Sequence, residues 1–215
     1  ALPNYGVFDE KRIFSHGEKF TEIKLKNFKI GLMVCEDIWI DQHMTDLSKN
    51  NLDLVVSINA SPFDVNKISE RESKAVDFSS NVGAPLVYVN QVGGQDEIVF
   101  DGNSFIASSG KIVAQLPHCI SSINEVTYDR SSGFDTGVDL EVKQHDKQDI
   151  IYSNLILGLR DYITKNKFPG VVLGISGGVD SAFSACVAVD ALGPENVIGI
   201  GMPSKFTSKE SNEDA

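Results

Sequence analysis

The segment Gly174–Ala182, Gly-Ile-Ser-Gly-Gly-Val-Asp-Ser-Ala, constrains the fold more than any other stretch. A short apolar run with strand character, Val171–Leu173, precedes it. An apolar-periodic stretch, Ala182–Leu192, follows and stops at Gly193, the pattern of a helix and its terminator. Strand, glycine-rich turn and helix start together present backbone N–H groups to an anion, and the helix dipole reinforces them. Gly177 and Gly178 let the backbone approach a ligand closely, Ser176 and Ser181 add hydroxyl donors, and Asp180 is suited to a magnesium ion. The competing reading is a tight turn with Ser or Asp capping a helix, but the complete hexapeptide in this setting favours nucleotide binding. No Gly-Lys-Ser/Thr follows the glycines, so this is not a Walker loop, and the Gly-x-Gly-x-x-Gly of a dinucleotide fold is missing too.

Length allows one large domain or two modest ones, and 41% apolar with 23% charged residues is the balance of a soluble globular protein. The net charge of −11 argues against a general nucleic-acid binder, which needs clustered Lys and Arg to neutralise phosphates. The apolar runs are too short for a membrane span and no secretory leader is visible. Three cysteines do not make a disulfide framework, so a reducing cytoplasm is expected. The chain opens on Ala1 rather than Met and stops at Ala215 soon after a strand-like run, which reads as an internal segment of a longer polypeptide.

Taken in order, Leu2–Phe14 is a Pro/Asn/Gly-rich loop. Thr21–Leu25, a turn at Lys26-Asn27, and Phe28–Val34 read as a hairpin. The second strand runs into Cys35-Glu36-Asp37-Ile38-Trp39. A free cysteine usually only packs. At a strand end, though, a thiol is exposed to substrate and its own N–H can line an oxyanion hole. Leu52–Asn59 and Leu86–Gln91 read as buried strands and Ser69–Val82 as the helix between them. Val99–Ile106 and Lys111–Leu116 read as a hairpin about Ser108-Ser109-Gly110. The segment from Pro117 to Asp149 is polar, with no periodic apolar face, and reads as a connection or, for its first half, an excursion of the first domain. Ile150–Ile163 has helical spacing and Val197–Met202 reads as a strand. The expected class is α/β with domains at 1–120 and 149–215 and a connection over 121–148.

The loop at 174–182 resembles the Ser-Gly-Gly-x-Asp-Ser loop of the N-type ATP pyrophosphatases. Upstream, Leu-Pro-Asn-Tyr-Gly-Val-Phe-Asp-Glu, Cys-Glu-Asp-Ile-Trp, Asn-Ala-Ser-Pro-Phe, Val-Asn-Gln-Val-Gly-Gly-Gln-Asp and Phe-Asp-Gly-Asn-Ser-Phe stand in the order found in nitrilase-superfamily glutaminase domains. With the loop downstream, the chain resembles the glutamine-dependent NAD synthetases. That resemblance implies part of a nitrilase-like α-β-β-α sandwich followed by the beginning of a doubly wound parallel-sheet ATP-pyrophosphatase domain.

The resemblance also implies a two-step ligase using ATP and Mg2+ on deamido-NAD and L-glutamine. Cys35 would attack the glutamine amide. A thiol with a reference pKa of about 8.5 needs a base and a cation for this. The family's base Glu and oxyanion Lys fall upstream of Ala1, and its supporting glutamate maps onto Glu10. Tyr5, Ser61 and Lys67 map onto glutamine-binding positions, and Glu36 suits the glutamine ammonium. Gly174, Ile175, Ser176, Gly177, Gly178, Val179, Asp180 and Ser181 would bind ATP, with Asp180 holding the metal. Ser204 and Lys205 are candidates for further nucleotide contacts. Small-molecule substrates, no nucleic acid, no membrane and a homo-oligomer complete the expectation. Cys119 and Cys186 read as packing residues. His16, His43, His118 and His145 lack metal-ligand spacing with the cysteines, so no zinc site is expected. The alternatives are a different glutamine-dependent ATP pyrophosphatase, or a non-catalytic piece retaining nucleotide or partner binding.

Overall fold

The computed structural model describes residues 2–4, 8–17, 20–136, 140, 142 and 146–215. The chain divides into two compact units, Ala1–Val92 with Phe100–Gln144, and Gly93–Val99 with His145–Ala215.

The first unit is built on a six-stranded mixed sheet. Strands β1 (Thr21–Leu25) and β2 (Phe28–Val34) are antiparallel, turning at Lys26 in the left-handed region, as the alternation predicts. The next two strands, β3 (Leu54–Asn59) and β4 (Leu86–Asn90), continue parallel to β2. Their crossovers are α1 (Asp41–Ser48) and α2 (Lys67–Val82). Parallel neighbours require such crossovers, and strands apolar on both faces suit them. Met33, Val55, Leu86 and Tyr88 meet Leu47, Ala75 and Phe78 of the helices in the core. On the other face Val34, Ile58 and Val89 are exposed, whereas Ile106 is covered by Leu140.

The expected strand Val99–Ile106 is two strands. Its first part, β6 (Ile98–Asp101), forms a hairpin with β5 (Val92–Gln95), and its second, β7 (Phe105–Ser108), joins the main sheet beside β4. The break falls at Gly102 and Asn103, with φ of 68° and 52°. A Cβ on Gly102 would lie 2.4 Å from Val92 Cγ2, so only glycine fits there. Strand β7 then pairs with β8 (Lys111–Gln115) through the two-residue turn Ser109-Gly110, both with positive φ, one residue shorter than the expected Ser108-Ser109-Gly110 because Ser108 pairs with Lys111.

Within the polar stretch after Pro117, β9 (Thr127–Asp129) and β10 (Gly133–Asp135) form a short hairpin of the first unit. Arg130 at its turn binds both carboxylate oxygens of Asp53 and the Asn27 carbonyl, and its guanidinium lies 4.4 Å from the Phe28 ring centroid.

The second unit joins parallel strands β11 (Val171–Ile175) and β12 (Val197–Gly201) through α4 (Val179–Leu192). Helix α3 (Lys147–Lys165) is capped by Asp146 accepting from the Gln148 N–H at 2.8 Å, three residues ahead of the expected start. It packs on α4, where the Tyr152 hydroxyl donates to Asp190 at 2.6 Å. On α3, Asp161 accepts from the Gly94 N–H at 2.9 Å, and Lys165 donates to the Gly94 carbonyl at 2.5 Å. A last short helix, α5, spans Lys209–Asp214. The mixed α/β class is as expected. Among the described residues no helix is long and apolar enough to cross a membrane.

Candidate functional site

The parallel order of β2, β3 and β4 brings their carboxyl ends to one edge, where open α/β sheets bind ligands. Cys35 leaves β2 there at φ 41°. A non-glycine residue in that region costs of order 1–3 kcal/mol and persists only where its surroundings impose it. Part of the imposition is visible: Asp37 Oδ2 accepts the Val34 N–H at 2.9 Å, tying back the one-turn 3-10 helix Cys35–Trp39. His43 Nδ1 stands 3.5 Å from the other Asp37 oxygen.

Val34 pairs with Ile58, so Cys35 comes beside Asn59 and Ala60. Burial pushes the Cys35 thiol pKa up. The Ala60 backbone hydrogen bond and the Lys67 charge pull it down, while the Glu36 and Asp37 carboxylates add to the rise. The fold thus brings Cys35, Glu36 and Lys67 together.

Ser61 is buried next to them, its N–H donating to Asn90 Oδ1 at 2.9 Å. Asn90 Nδ2 faces the Ser61 and Gly102 carbonyls at 3.4 and 3.0 Å and Asp101 Oδ1 at 3.4 Å. Behind it Asp101, fully buried, is paired with Arg71 Nη2 at 2.7 Å. Tyr88 completes the cluster. Burial raises its phenol to about 12, against the Arg71 charge and the Ser61 hydroxyl, so it stays a neutral hydroxyl.

Glu10 opens a separate 3-10 turn, Glu10–Arg12. Its backbone contacts are to Pro3, Ile13 and Phe14, none of which leads to Cys35. Tyr5 lies outside the described residues.

Arg71 and Tyr88 stand in none of the motifs singled out from the sequence, and Asn90 and Asp101 stand inside two of them without an assigned role. Their signals were present but ambiguous. Arg71 sits on the buried stripe of α2 with Ala75, Phe78 and Val82, a charge where an apolar residue belongs. Asn90 is a polar residue ending an apolar strand.

In the second unit, β11 delivers Ile175 and Ser176 to the loop, and Gly178 is the N-cap of α4. The two hydroxyls anticipated as donors bond to one another, with Ser176 Oγ and Ser181 Oγ 3.1 Å apart. Ser181 Oγ also accepts the Ser176 N–H at 3.2 Å and donates to the Gly178 carbonyl at 2.9 Å. Gly177 has φ 73°, and a Cβ on it would lie 2.3 Å from the Ser211 carbonyl oxygen. Asp180 is exposed on the first turn of α4. Helix α4 begins at Val179, earlier than the expected Ala182, so Asp180 and Ser181 belong to the helix rather than to the turn.

A crevice of about 630 Å³ opens at the carboxyl ends of β11 and β12, lined by Gly174, Ser176, Met202, Pro203 and Ser211 among others. Ser204 and Lys205 stand in the turn after β12. There the Ser204 N–H donates to Thr207 Oγ1 and Lys205 lies over the Phe206 ring. Cys186 is exposed on α4, correcting the expectation that it packs, because the α4 face it occupies is uncovered; Cys119 is half-buried. Among the described residues no three His, Cys, Asp or Glu side chains gather as a metal cage; His145 lies outside them.

The sequence model of the carbon–nitrogen hydrolase family matches residues 2–133. The chain belongs to that family. Residues 151–215 match the NAD synthase model. Over its full length this carbon–nitrogen hydrolase chain is 41% identical to the glutamine-dependent NAD(+) synthetase of Acinetobacter baylyi, covering 40% of that protein. It is 43% identical to the one from Aquifex aeolicus, covering 43%. A solved glutamine-dependent NAD+ synthetase from Acinetobacter baumannii, in complex with adenosine diphosphate, superposes at TM-score 0.94 with 39% identity, over 99% of this chain and 40% of that one. The chain thus spans about two fifths of the relatives it matches.

Proposed function

We propose that the protein makes NAD from deamido-NAD, using ATP and the amide nitrogen of L-glutamine. What carries the reading is one chain that joins a strand-end cysteine, within the carbon–nitrogen hydrolase match, to a serine–glycine loop, within the NAD synthase match.

In the first half-reaction Cys35 Sγ attacks the glutamine carboxamide carbon, ammonia leaves, and water cleaves the resulting thioester. Lys67 and Glu36 have the charges to meet the carboxylate and ammonium of a free amino acid, with Ser61 buried beside Cys35; Tyr5 and Glu10 take supporting roles on the strength of the family resemblance alone. Because burial raises the Cys35 pKa, proton removal must accompany attack, and Lys67 favours the thiolate once formed.

In the second half-reaction the loop Gly174–Ser181 cradles the ATP phosphates through its N–H groups and the start of α4, and the nicotinate carboxylate takes the adenylyl group. Ammonia then displaces AMP. Asp180, an exposed carboxylate on the first turn of α4, would hold the magnesium ion, which would neutralise charge on departing pyrophosphate. The same reading makes the enzyme cytoplasmic and homo-oligomeric, acting on small molecules. Its net charge of −11 agrees with substrates other than nucleic acid.

The test supplies amide-labelled glutamine, ATP and deamido-NAD and follows the label by mass spectrometry. Label should enter NAD. Cys35→Ala should abolish this route while leaving synthesis from ammonia. Equal loss of both routes, or no labelled NAD from the parent protein, would sink the reading.

A further inference from the structure

We infer that Asn90 is a positioning residue for Cys35: its side-chain amide clamps the Ser61 peptide and so fixes Ala60–Ser61 against the sulfur. The inference rests on Cys35 being the reactive thiol and adds the residue that sets its surroundings.

Ala60 and Ser61 follow β3 and belong to no regular element, so neither a helix nor a sheet ladder holds them. Asn90 supplies what the ladder does not. It ends the neighbouring strand opposite Asn59, and its amide addresses both sides of one residue, accepting the Ser61 N–H and facing the Ser61 carbonyl. Asn90 is itself fixed on three sides. Its N–H donates to Ser104 Oγ at 2.9 Å, its Nδ2 to the Gly102 carbonyl at 3.0 Å, and Asp101 stands behind it held by Arg71. Asn90 and Ser61 are both buried, so water does not compete for these bonds.

The clamp has a chemical consequence because the register sets Cys35 beside Asn59 and Ala60. Holding Ser61 holds the preceding Asn59–Ala60 peptide, which the register sets beside Cys35 and whose backbone hydrogen bond pulls the thiol pKa down. A donor fixed on sulfur favours thiolate, and it also sits where an amide oxyanion would need one. The other groups facing this thiol are Glu36 and Asp37 on its own turn, Lys67 on α2, and Tyr88 on β4. Asn90 carries no charge, so its removal changes none of them directly.

Alkylation of Cys35 by iodoacetamide, followed on its own peptide by mass spectrometry from about pH 6 to about pH 10, reads the thiolate without any turnover. Asn90→Ala should move the profile to higher pH by about one unit, so that alkylation near neutrality slows about tenfold. The Cys186 profile should stay unchanged. A folded Asn90→Ala protein with the parent's profile would overturn the inference. If that variant does not fold, Asn90→Ser decides by the same criterion. In the parent protein, hydrogen exchange at the Ser61 amide must be slow; exchange as fast as in an open loop would also overturn it. Failure of the NAD-forming reading shows separately, in the label experiment, and leaves the alkylation result standing.

Discussion

The two candidate sites are made in opposite ways. Around Cys35 the parts come from β2, the loop after β3, the first residue of α2, β4 and β6; Cys35, Glu36 and Lys67 are half-buried, and the polar residues behind them are buried and cross-linked. Around Gly177 the parts are consecutive in sequence and largely exposed, and their internal bonds run between residues at most five apart. A thiol must be steered away from its resting protonated state against the rise that burial imposes, which takes a cation and hydrogen-bond donors assembled from far along the chain. A phosphate needs only a short arc of N–H groups at a helix start, which a local turn provides.

The largest test of this contrast is Asp101→Ala. It leaves Arg71 charged and buried without its partner, a loss of about 3–5 kcal/mol. Trp39, the only tryptophan, lies on the Cys35 turn and reports unfolding of the first unit alone. Its urea midpoint should fall sharply, and an unchanged midpoint would mean that the buried pair does not organise the first site.

A smaller effect is expected from Gly177→Ala, which forces a Cβ into the left-handed region and against the Ser211 carbonyl. The local cost is about 1–3 kcal/mol, and it should weaken ATP binding measured by calorimetry while the Trp39 transition stays in place. A shift in that transition would contradict the local character of the loop.

The smallest is an acid effect at Asp53, whose carboxyl is held at about 2 by the Arg130 hydrogen bonds against the ordinary 3.8. Because the folded value is depressed, its contribution is complete above about pH 4 and is lost as pH falls through 2. The pair is largely solvent-screened, so the parent should exceed Asp53→Asn by no more than about 1 kcal/mol at pH 5. The gap should close on acidification. A constant gap would show that the carboxylate plays no part.

These contrasts explain what could be read in advance. The hairpin Thr21–Leu25/Phe28–Val34 and the turn at Ser109-Gly110 were legible because their alternation and turn residues are local signals. The strand expected over Val99–Ile106 was misread although its break carries a local signal, Asp101-Gly102-Asn103-Ser104, because the apolar residues on either side suggested one continuous alternation; packing of Gly102 against Val92 accompanies the turn. Arg71 had no role in the sequence reading: a charge on the apolar stripe of α2 acquires its meaning only when Asp101 meets it from 30 residues away.

By itself the sequence determined most of the longer elements, the strand-end cysteine and the whole loop Gly174–Ser181, since each depends on neighbours within a few residues. Only the tertiary structure decided that Asn90, Asp101, Arg71 and Tyr88 converge behind Ser61 and that Lys67 faces Cys35. Side chains of different strands and helices have no fixed spacing along the chain, and their meeting is settled by sheet register and burial of the shared core.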